Sequence, residues 1–288
     1  MRFTTIAMQR NLLFLSLVEL GVMLFGPPTR ADLLQDINKR EEIVIATEAR
    51  YPPFEFLEDG KIAGYSTDLL ASVLKGIPGV AARRLDVPFQ GILPGLDAQK
   101  FDYVVTAITA TRERAARYRL SLPIADASLA ILKRKDDATI GKAEDLAGKA
   151  VGSQVGSAQL QGLQAYGGEL KAKSDGKGIG EVKTYVDFTE AYADLAAGRI
   201  SAVVNSLPNL LYVAKQRSDV FEVVPGTFGP KKYFVWAGRN DPSSSSLEAL
   251  VDERLSELNR SGEMAKLQVK WFGFVMPVPA DKLPAPEF

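Results

Sequence analysis

An α/β fold arranged in two lobes is the architecture this sequence predicts, on three observations. Short β-rich apolar runs alternate with segments of helical spacing, the order that builds parallel sheets covered by helices. The alternation restarts midway, at SLAILKRK (Ser128–Lys135). The 288 residues also reach the length, about 250 to 300 residues, at which a single hydrophobic core stops growing and a chain divides.

The elements follow in order. EIVIAT (Glu42–Thr47) reads as a strand, DLLASVLKGI (Asp68–Ile77) as a helix ended by Pro78, and DYVVTAI (Asp102–Ile108) as a buried strand. In TAITATRERA (Thr106–Ala115), Thr111 is placed to cap a helix running through Arg117. Arg112 and Arg114 then stand at the positive end of the helix dipole, a place that favours anions. EDLAGKAVGSQVGSAQLQGLQAY reads as a helix, a strand (Ala150–Ser153) and a second helix separated by glycines. DFTEAYADLAAGRI opens with Asp187 and Glu190 at capping-box spacing, and SAVVNS (Ser201–Ser206) is the next strand. The tail SLEALVDERLSELNRSGEMAKLQVKWFGF has apolar helical spacing throughout. KSDGKGIGEV (Lys173–Val182) is a glycine-rich surface turn without the strand-before, helix-after context of a dinucleotide loop, and GKAEDLAGKA has the wrong spacing for a phosphate loop.

Composition narrows the chemistry. The chain is 46% hydrophobic and 24% charged with zero net charge, so no basic excess points to nucleic acid. It has no cysteine and no histidine. Disulfides, thiolate nucleophiles, Ser-His-Asp catalysis and most transition-metal sites are thereby excluded, and no cofactor is implied. An enzyme would have to work with carboxylates, lysines or tyrosines, which shifts the expectation toward binding.

Arg2 and Arg10 precede LLFLSLVELGVMLF (Leu12–Phe25), an apolar stretch of signal-peptide length that is short for a membrane span. Residues 1–31 are read as an export leader, although Glu19 interrupts the stretch and GPPTRAD offers no clear cleavage site. An uncleaved interfacial anchor, or a misplaced start with a disordered lead, are the other readings. With no cysteine to carry a lipid, the exported chain is expected to diffuse freely in the periplasm.

Five segments in order resemble a known family. They are YPPFEFLEDGKIAGYSTDLL (Tyr51–Leu70), FQGILPGLDAQKFDYVVTAITATRERA (Phe89–Ala115), DLAGKAVGSQVGSA (Asp145–Ala158), LAAGRISAVV (Leu195–Val204) and KWFG (Lys270–Gly273). Together they resemble the polar amino-acid branch of the periplasmic solute-binding proteins of ABC importers, bacterial solute-binding protein family 3. The resemblance implies a two-lobe periplasmic-binding-protein fold of type II, its ligand cleft between lobes joined by two crossover strands. Lobe 1 would take residues 38–126 and 234–276, and lobe 2 residues 127–233, with crossovers near Pro123–Ala130 and Lys231–Trp236. The implied partners are a small molecule with a carboxylate and an ABC permease, with the protein working as a monomer.

The resemblance also implies a site. The arginine at the Arg114 position forks onto the ligand carboxylate, Thr109 joins it, and the backbone at Ala107 faces the ammonium side. A planar guanidinium suits both carboxylate oxygens. The other reading of Arg114 is a surface arginine balanced by Glu113, which is the expectation for Arg112 and Arg117. Gly156 and Ser157 match a turn whose backbone N–H groups meet the same carboxylate, where glycine allows close approach. Tyr51 and Phe89 match rings that sandwich the ligand; without the resemblance, an aromatic after a strand is a core residue. Glu48 matches an acidic position that often meets the distal end of the ligand, and it is equally placed to be a solvated carboxylate at a strand end.

Departures bear on the substrate. Ser206 stands where the family places an aspartate that pairs with the ligand ammonium, and serine supplies only a neutral acceptor. LSLPIAD replaces the usual crossover motif, with Ile124 where tyrosine is common. A modified amino acid, an opine-like conjugate or another small organic carboxylate fits as well as a standard amino acid. Two alternatives differ in class: an enzyme resembling the cyclohexadienyl dehydratases, whose glycine-threonine-asparagine loop is here VGSAQLQ, and an accessory or sensory protein with a degenerate cleft.

Overall fold

The computed structural model describes Met1, residues 32–173 and residues 176–286. The expected leader, apart from Met1, and part of the glycine-rich turn lie outside the described residues. The first half runs α1 (Leu33–Arg40), β1 (Glu42–Thr47), β2 (Arg50–Tyr51), β3 (Glu55–Glu58), β4 (Lys61–Ala63), α2 (Tyr65–Val73), β5 (Ala81–Asp86), α3 (Phe89–Asp97) and β6 (Tyr103–Thr109). It continues through α4 (Arg112–Arg117), β7 (Tyr118–Leu120) and β8 (Ala125–Asp126). Next come β9 (Leu129–Arg134), β10 (Ala150–Gln154), α5 (Ala158–Lys173), β11 (Glu181–Tyr185), α6 (Phe188–Ala196), β12 (Ala202–Ser206), α7 (Leu207–Gln216) and β13 (Phe221–Val223). The chain closes with β14 (Tyr233–Arg239), α8 (Ser245–Arg260) and α9 (Glu263–Phe272).

Two mixed sheets form the frame. One has the order β5-β1-β6-β14-β7 with β8 on β14, and the other β11-β10-β12-β9-β13. The chain leaves the first sheet after β8 and re-enters it at β14. These passages pair with each other, Tyr233 opposite Asp126 and Phe234 opposite Ala125. The sheets are not wholly parallel as expected. β14 runs antiparallel to β6, and β9 antiparallel to β12, because each enters its sheet from the crossover side rather than over a covering helix.

Local signals explain the boundaries. Thr111 caps α4 by accepting the Arg114 N–H at 3.2 Å, as expected. Asp187 caps α6 by accepting the Glu190 N–H at 3.1 Å, but the Glu190 carboxylate returns to the Val186 N–H at 3.3 Å, one residue earlier than a capping box requires. EDL forms a single 3-10 turn (Ala143–Leu146) rather than a helix. The helical tail is broken at Ser261–Gly262, where Gly262 has φ 80°. The helix expected from Asp68 begins earlier, at Tyr65, after Gly64. Gly64 has φ 119°, and a Cβ there would lie 2.4 Å from the Phe54 carbonyl oxygen, so both conformation and crowding demand glycine.

An aromatic core joins the first hairpin to the last helix. Phe54 meets Phe272 at 4.8 Å and Phe234 at 5.0 Å between ring centroids, and Tyr65 meets Phe272 at 5.3 Å. Trp236 is fully buried beneath them. At the surface, Asp68 accepts from Lys270 Nζ and Trp271 Nε1, both at 2.7 Å, which pins α9 to α2. Truncating a buried aromatic costs about 3 to 5 kcal/mol. Phe272→Ala is accordingly expected to lower the unfolding free energy by at least about 3 kcal/mol in urea titrations. A loss below about 1 kcal/mol would show that α9 is not part of the core.

Candidate functional site

The site forms where the carboxyl ends of strands from the two sheets face each other. Capping by Thr111 orients α4 so that Arg114 turns inward; its neighbours Arg112 and Arg117 are exposed. Only 8% of Arg114 is exposed. Its Nη1 donates to the Thr109 carbonyl at 2.9 Å and its Nη2 to the Gly156 carbonyl at 3.1 Å, and the guanidinium lies 5.6 Å from the centroid of the Phe89 ring. Burial lowers its pKa to about 10, partly offset by Glu113, so it is a cation at neutral pH. Among the described residues no carboxylate makes an ion pair with it.

Gly156 and Ser157 form the turn into α5. Gly156 has φ 74°, and an added Cβ would meet nothing nearer than Gln90 Cγ at 3.8 Å. Backbone conformation, not crowding, therefore calls for glycine. Ser157 caps α5: its Oγ accepts the Leu160 N–H at 3.0 Å and donates to the Gln154 carbonyl at 2.7 Å. The Ser157 N–H is itself used, donating to the same carbonyl at 3.3 Å.

On the other side of the cleft, Glu48 follows β1 and is only 3% exposed. It is not a solvated strand-end acid. Gln154 Nε2 donates to its Oε1 at 2.6 Å. Burial raises the Glu48 pKa to about 8; the Gln154 bond and Arg50 oppose the rise, while Glu55 and Asp187 add to it. The Ala107 N–H donates to Glu55 Oε1 at 2.6 Å, so that part of the Ala107 backbone is already engaged. Thr109 Oγ1 accepts from Gln159 Nε2 at 3.2 Å. The Tyr51 hydroxyl donates to Asn205 Oδ1 at 2.7 Å and lies 2.9 Å from Ser206 Oγ, while its ring stacks on Phe54 at 5.6 Å.

Tyr51, Phe89, Ala107 and Glu48 thus share one cavity with Thr106, Gln154, Gln159 and Phe188. Its free volume is about 10 Å³, close to the minimum for one water. Arg114 and Gly156 instead line the adjoining 280 Å³ hollow, together with Phe89. Ser206 is reached through Tyr51.

Residues 43–274 match the sequence profile of the bacterial extracellular solute-binding proteins, family 3. The chain belongs to that family. This solute-binding protein is 28% identical over 243 residues to the L-cystine-binding protein TcyJ of Escherichia coli K12, covering 84% of this chain and 86% of the relative. It is also 28% identical to the putative amino-acid ABC transporter-binding protein PatH of Vibrio harveyi, covering 82% and 91%. A solved ancestral arginine-binding protein, bound to arginine, superposes with a TM-score of 0.71 at 33% identity, covering 81% of this chain and 99% of that one. The architecture is the two-lobe periplasmic-binding-protein fold of type II, and the family works outside the cytoplasm. No helix among the described residues is long and apolar enough to cross a membrane.

Glu55, Gln154, Gln159, Phe188 and Asn205 escaped the sequence reading. Position was the available signal for two of them, since Gln154 and Gln159 flank the Gly156–Ser157 turn where a strand's carboxyl end meets a helix.

Glu48 yields a pH test. The folded protein holds on it a proton that the unfolded chain releases above the ordinary carboxylate range, so stability falls as pH rises from there toward about 8. Glu48→Gln removes this contribution. Its melting temperature should gain on the wild type by about 2 °C or more between pH 5 and pH 8. Parallel melting curves over that range would rule out a buried acid at this position.

Proposed function

We propose that this solute-binding protein captures an amino acid or a related small organic carboxylate in the periplasm and delivers it to the permease of an ABC importer. The carrying observation is Arg114, a buried guanidinium with two carbonyls for partners, at the junction of both lobes. A planar fork so placed suits a carboxylate, and the first amides of α5 add partial positive charge from the other side. Thr109, Gly156 and Ser157 surround the carboxylate end. Tyr51 and Phe89 flank the body of the solute, Glu48 meets its far end, and Ala107 and Ser206 line its remaining sides.

Closure follows from this division of contacts. Arg114 and Glu48 come from the first sheet's side, while Gly156, Ser157 and Ser206 come from the second, so the solute gains its full set only when the lobes meet. The lobe boundaries belong to this proposal: residues 38–126 and 234–276 against 127–233. So do export through the leader at residues 1–31, free diffusion without a lipid anchor, and a monomeric state. We read the protein as a carrier rather than an enzyme; the names of its relatives TcyJ and PatH support that reading.

The test is a panel of amino acids and small carboxylates screened by thermal shift, with hits titrated by calorimetry. At least one should stabilise the protein. Arg114→Ala should remain folded and lose about 2 to 5 kcal/mol of binding, roughly thirtyfold to several thousandfold in Kd. Unchanged affinity in the folded variant would remove Arg114 from the site.

A further inference from the structure

The β2–β3 hairpin brings a second acid to this site from behind its wall. Tyr51 and Glu55 stand directly opposite each other in the antiparallel register, so their side chains leave the same face with Cβ atoms about 5 Å apart. Tyr51 lines the small cavity, and its hydroxyl lies 2.9 Å from Ser206 Oγ. Glu55 is fully buried and is not part of the cavity lining. Its Oε1 accepts the Thr106 hydroxyl and, at 2.6 Å, the Ala107 N–H, and Thr106 and Ala107 both line the cavity. The carboxylate therefore sits one layer of backbone behind the surface a solute would meet.

Strand geometry says what else faces it. A residue's N–H and C=O point to the same side of a strand, and every second residue repeats that direction. Val105 turns its carbonyl toward β1, where Thr47 Oγ1 donates to it at 2.8 Å. Ala107, two residues on, turns its N–H the same way onto Glu55, beyond the end of β1 at Thr47. The Ala107 carbonyl shares that direction, so a donor meeting it comes to lie beside the Glu55 carboxylate. Little in the protein neutralises this acid. Arg84 acts on it but donates Nη1 to Thr67 Oγ1 and, at 3.0 Å, Nη2 to Thr47 Oγ1, and it makes no ion pair with Glu55 among the described residues. The other groups facing Glu55 are the neutral Ser66, Thr106 and Ala107 amide, with Tyr51 and Glu48 within its field. Burial raises the Glu55 pKa to about 7 against these partners. Burial also raises the Tyr51 pKa, and Tyr192, Glu48 and Glu55 add to that rise, so the charge of both acids is felt at the Tyr51 hydroxyl. A carboxylate buried in this way is costly to ionise, and a cation brought beside it lowers the cost.

We infer that Glu55 sets specificity from outside the cavity: it holds the Ala107 backbone and supplies the negative charge by which the site favours a solute whose α-ammonium lies against the Ala107 carbonyl and Tyr51, the corner where Ser206 is neutral. This inference rests on the carrier role proposed above. Glu55 is a positioning residue, since it acts through Ala107 and through its field without touching the solute.

Calorimetry tests it with the standard amino acids, each paired with its α-desamino counterpart, in the wild type and in Glu55→Gln. Glutamine keeps an oxygen for the Ala107 N–H and the Thr106 hydroxyl and removes the charge. At least one amino acid should bind the wild type about tenfold or more tighter than its counterpart, a difference of about 1.4 kcal/mol, and Glu55→Gln should bring the two within about threefold. A purely structural role would weaken both alike. An unmoved ratio, or counterparts binding the wild type as tightly as their parents, would overturn the inference and leave the carrier role standing. If Glu55→Gln does not fold, proton release at pH 7 decides, measured in Glu48→Gln so that Glu48 contributes none. The amino acid should expel more protons than its counterpart as its ammonium ionises Glu55, and equal release would overturn the inference. Absence of binding by every amino acid and counterpart would overturn both.

Discussion

A guanidinium buried without a carboxylate partner among the described residues is the constraint around which this cleft is organised. Removing a cation from water is costly, and the interior returns that cost only through close, well-aimed partners. Arg114 has two carbonyls, one from the end of β6, the strand before its helix, and one from the turn across the cleft. The second bond links the α4 side of the cleft to the turn before α5. Thr111 fixes the helix that aims the side chain, and the left-handed backbone at Gly156 turns the opposing carbonyl toward it. A single electrostatic requirement thus ties the local capping of α4 to the relative placement of two sheets.

Other cross-cleft bonds share that logic at lower stakes. Gln154 on Glu48, Gln159 on Thr109 and Tyr51 on Asn205 are neutral-donor contacts, of a kind whose net worth is about 0.5 to 1.5 kcal/mol each, rising toward 3 when a partner is charged. They give buried polar groups on both sides of the cleft a partner. In the proposed role, a solute that brings its own charges competes with weak internal stand-ins, so affinity is the difference between the two sets of contacts. Burial raises the pKa of Glu48, and the Gln154 amide, a neutral donor, offsets only part of that rise.

What could be read in advance followed the range of the interactions involved. The strand Glu42–Thr47 and the Thr111 cap depend on a few consecutive residues and were legible from them, whereas the inward turn of Arg114 was implied by family resemblance. The break at Ser261–Gly262 was hidden because apolar spacing continues through it, and the antiparallel strands were hidden because direction is set by the route between sheets. Within the site, family resemblance drew attention to Glu48, Tyr51 and Ser206 but not to Gln154 or Asn205. Gln154, Asn205 and Glu55 have meaning only through groups far away in the chain: Glu48, Tyr51 and the Ala107 amide. Even the reason for glycine at 156 changed, from close approach to backbone conformation.

The central claim is that Arg114 reads a carboxylate directly. A double-mutant cycle tests it, combining Arg114→Ala with replacement of the carboxylate of the tightest-binding panel member by its carboxamide, all four affinities being measured by calorimetry. A direct pairing predicts that either change alone removes most of the interaction and that the second adds little, a coupling of about 2 kcal/mol or more. Losses that add independently, to within about 0.5 kcal/mol, would contradict it.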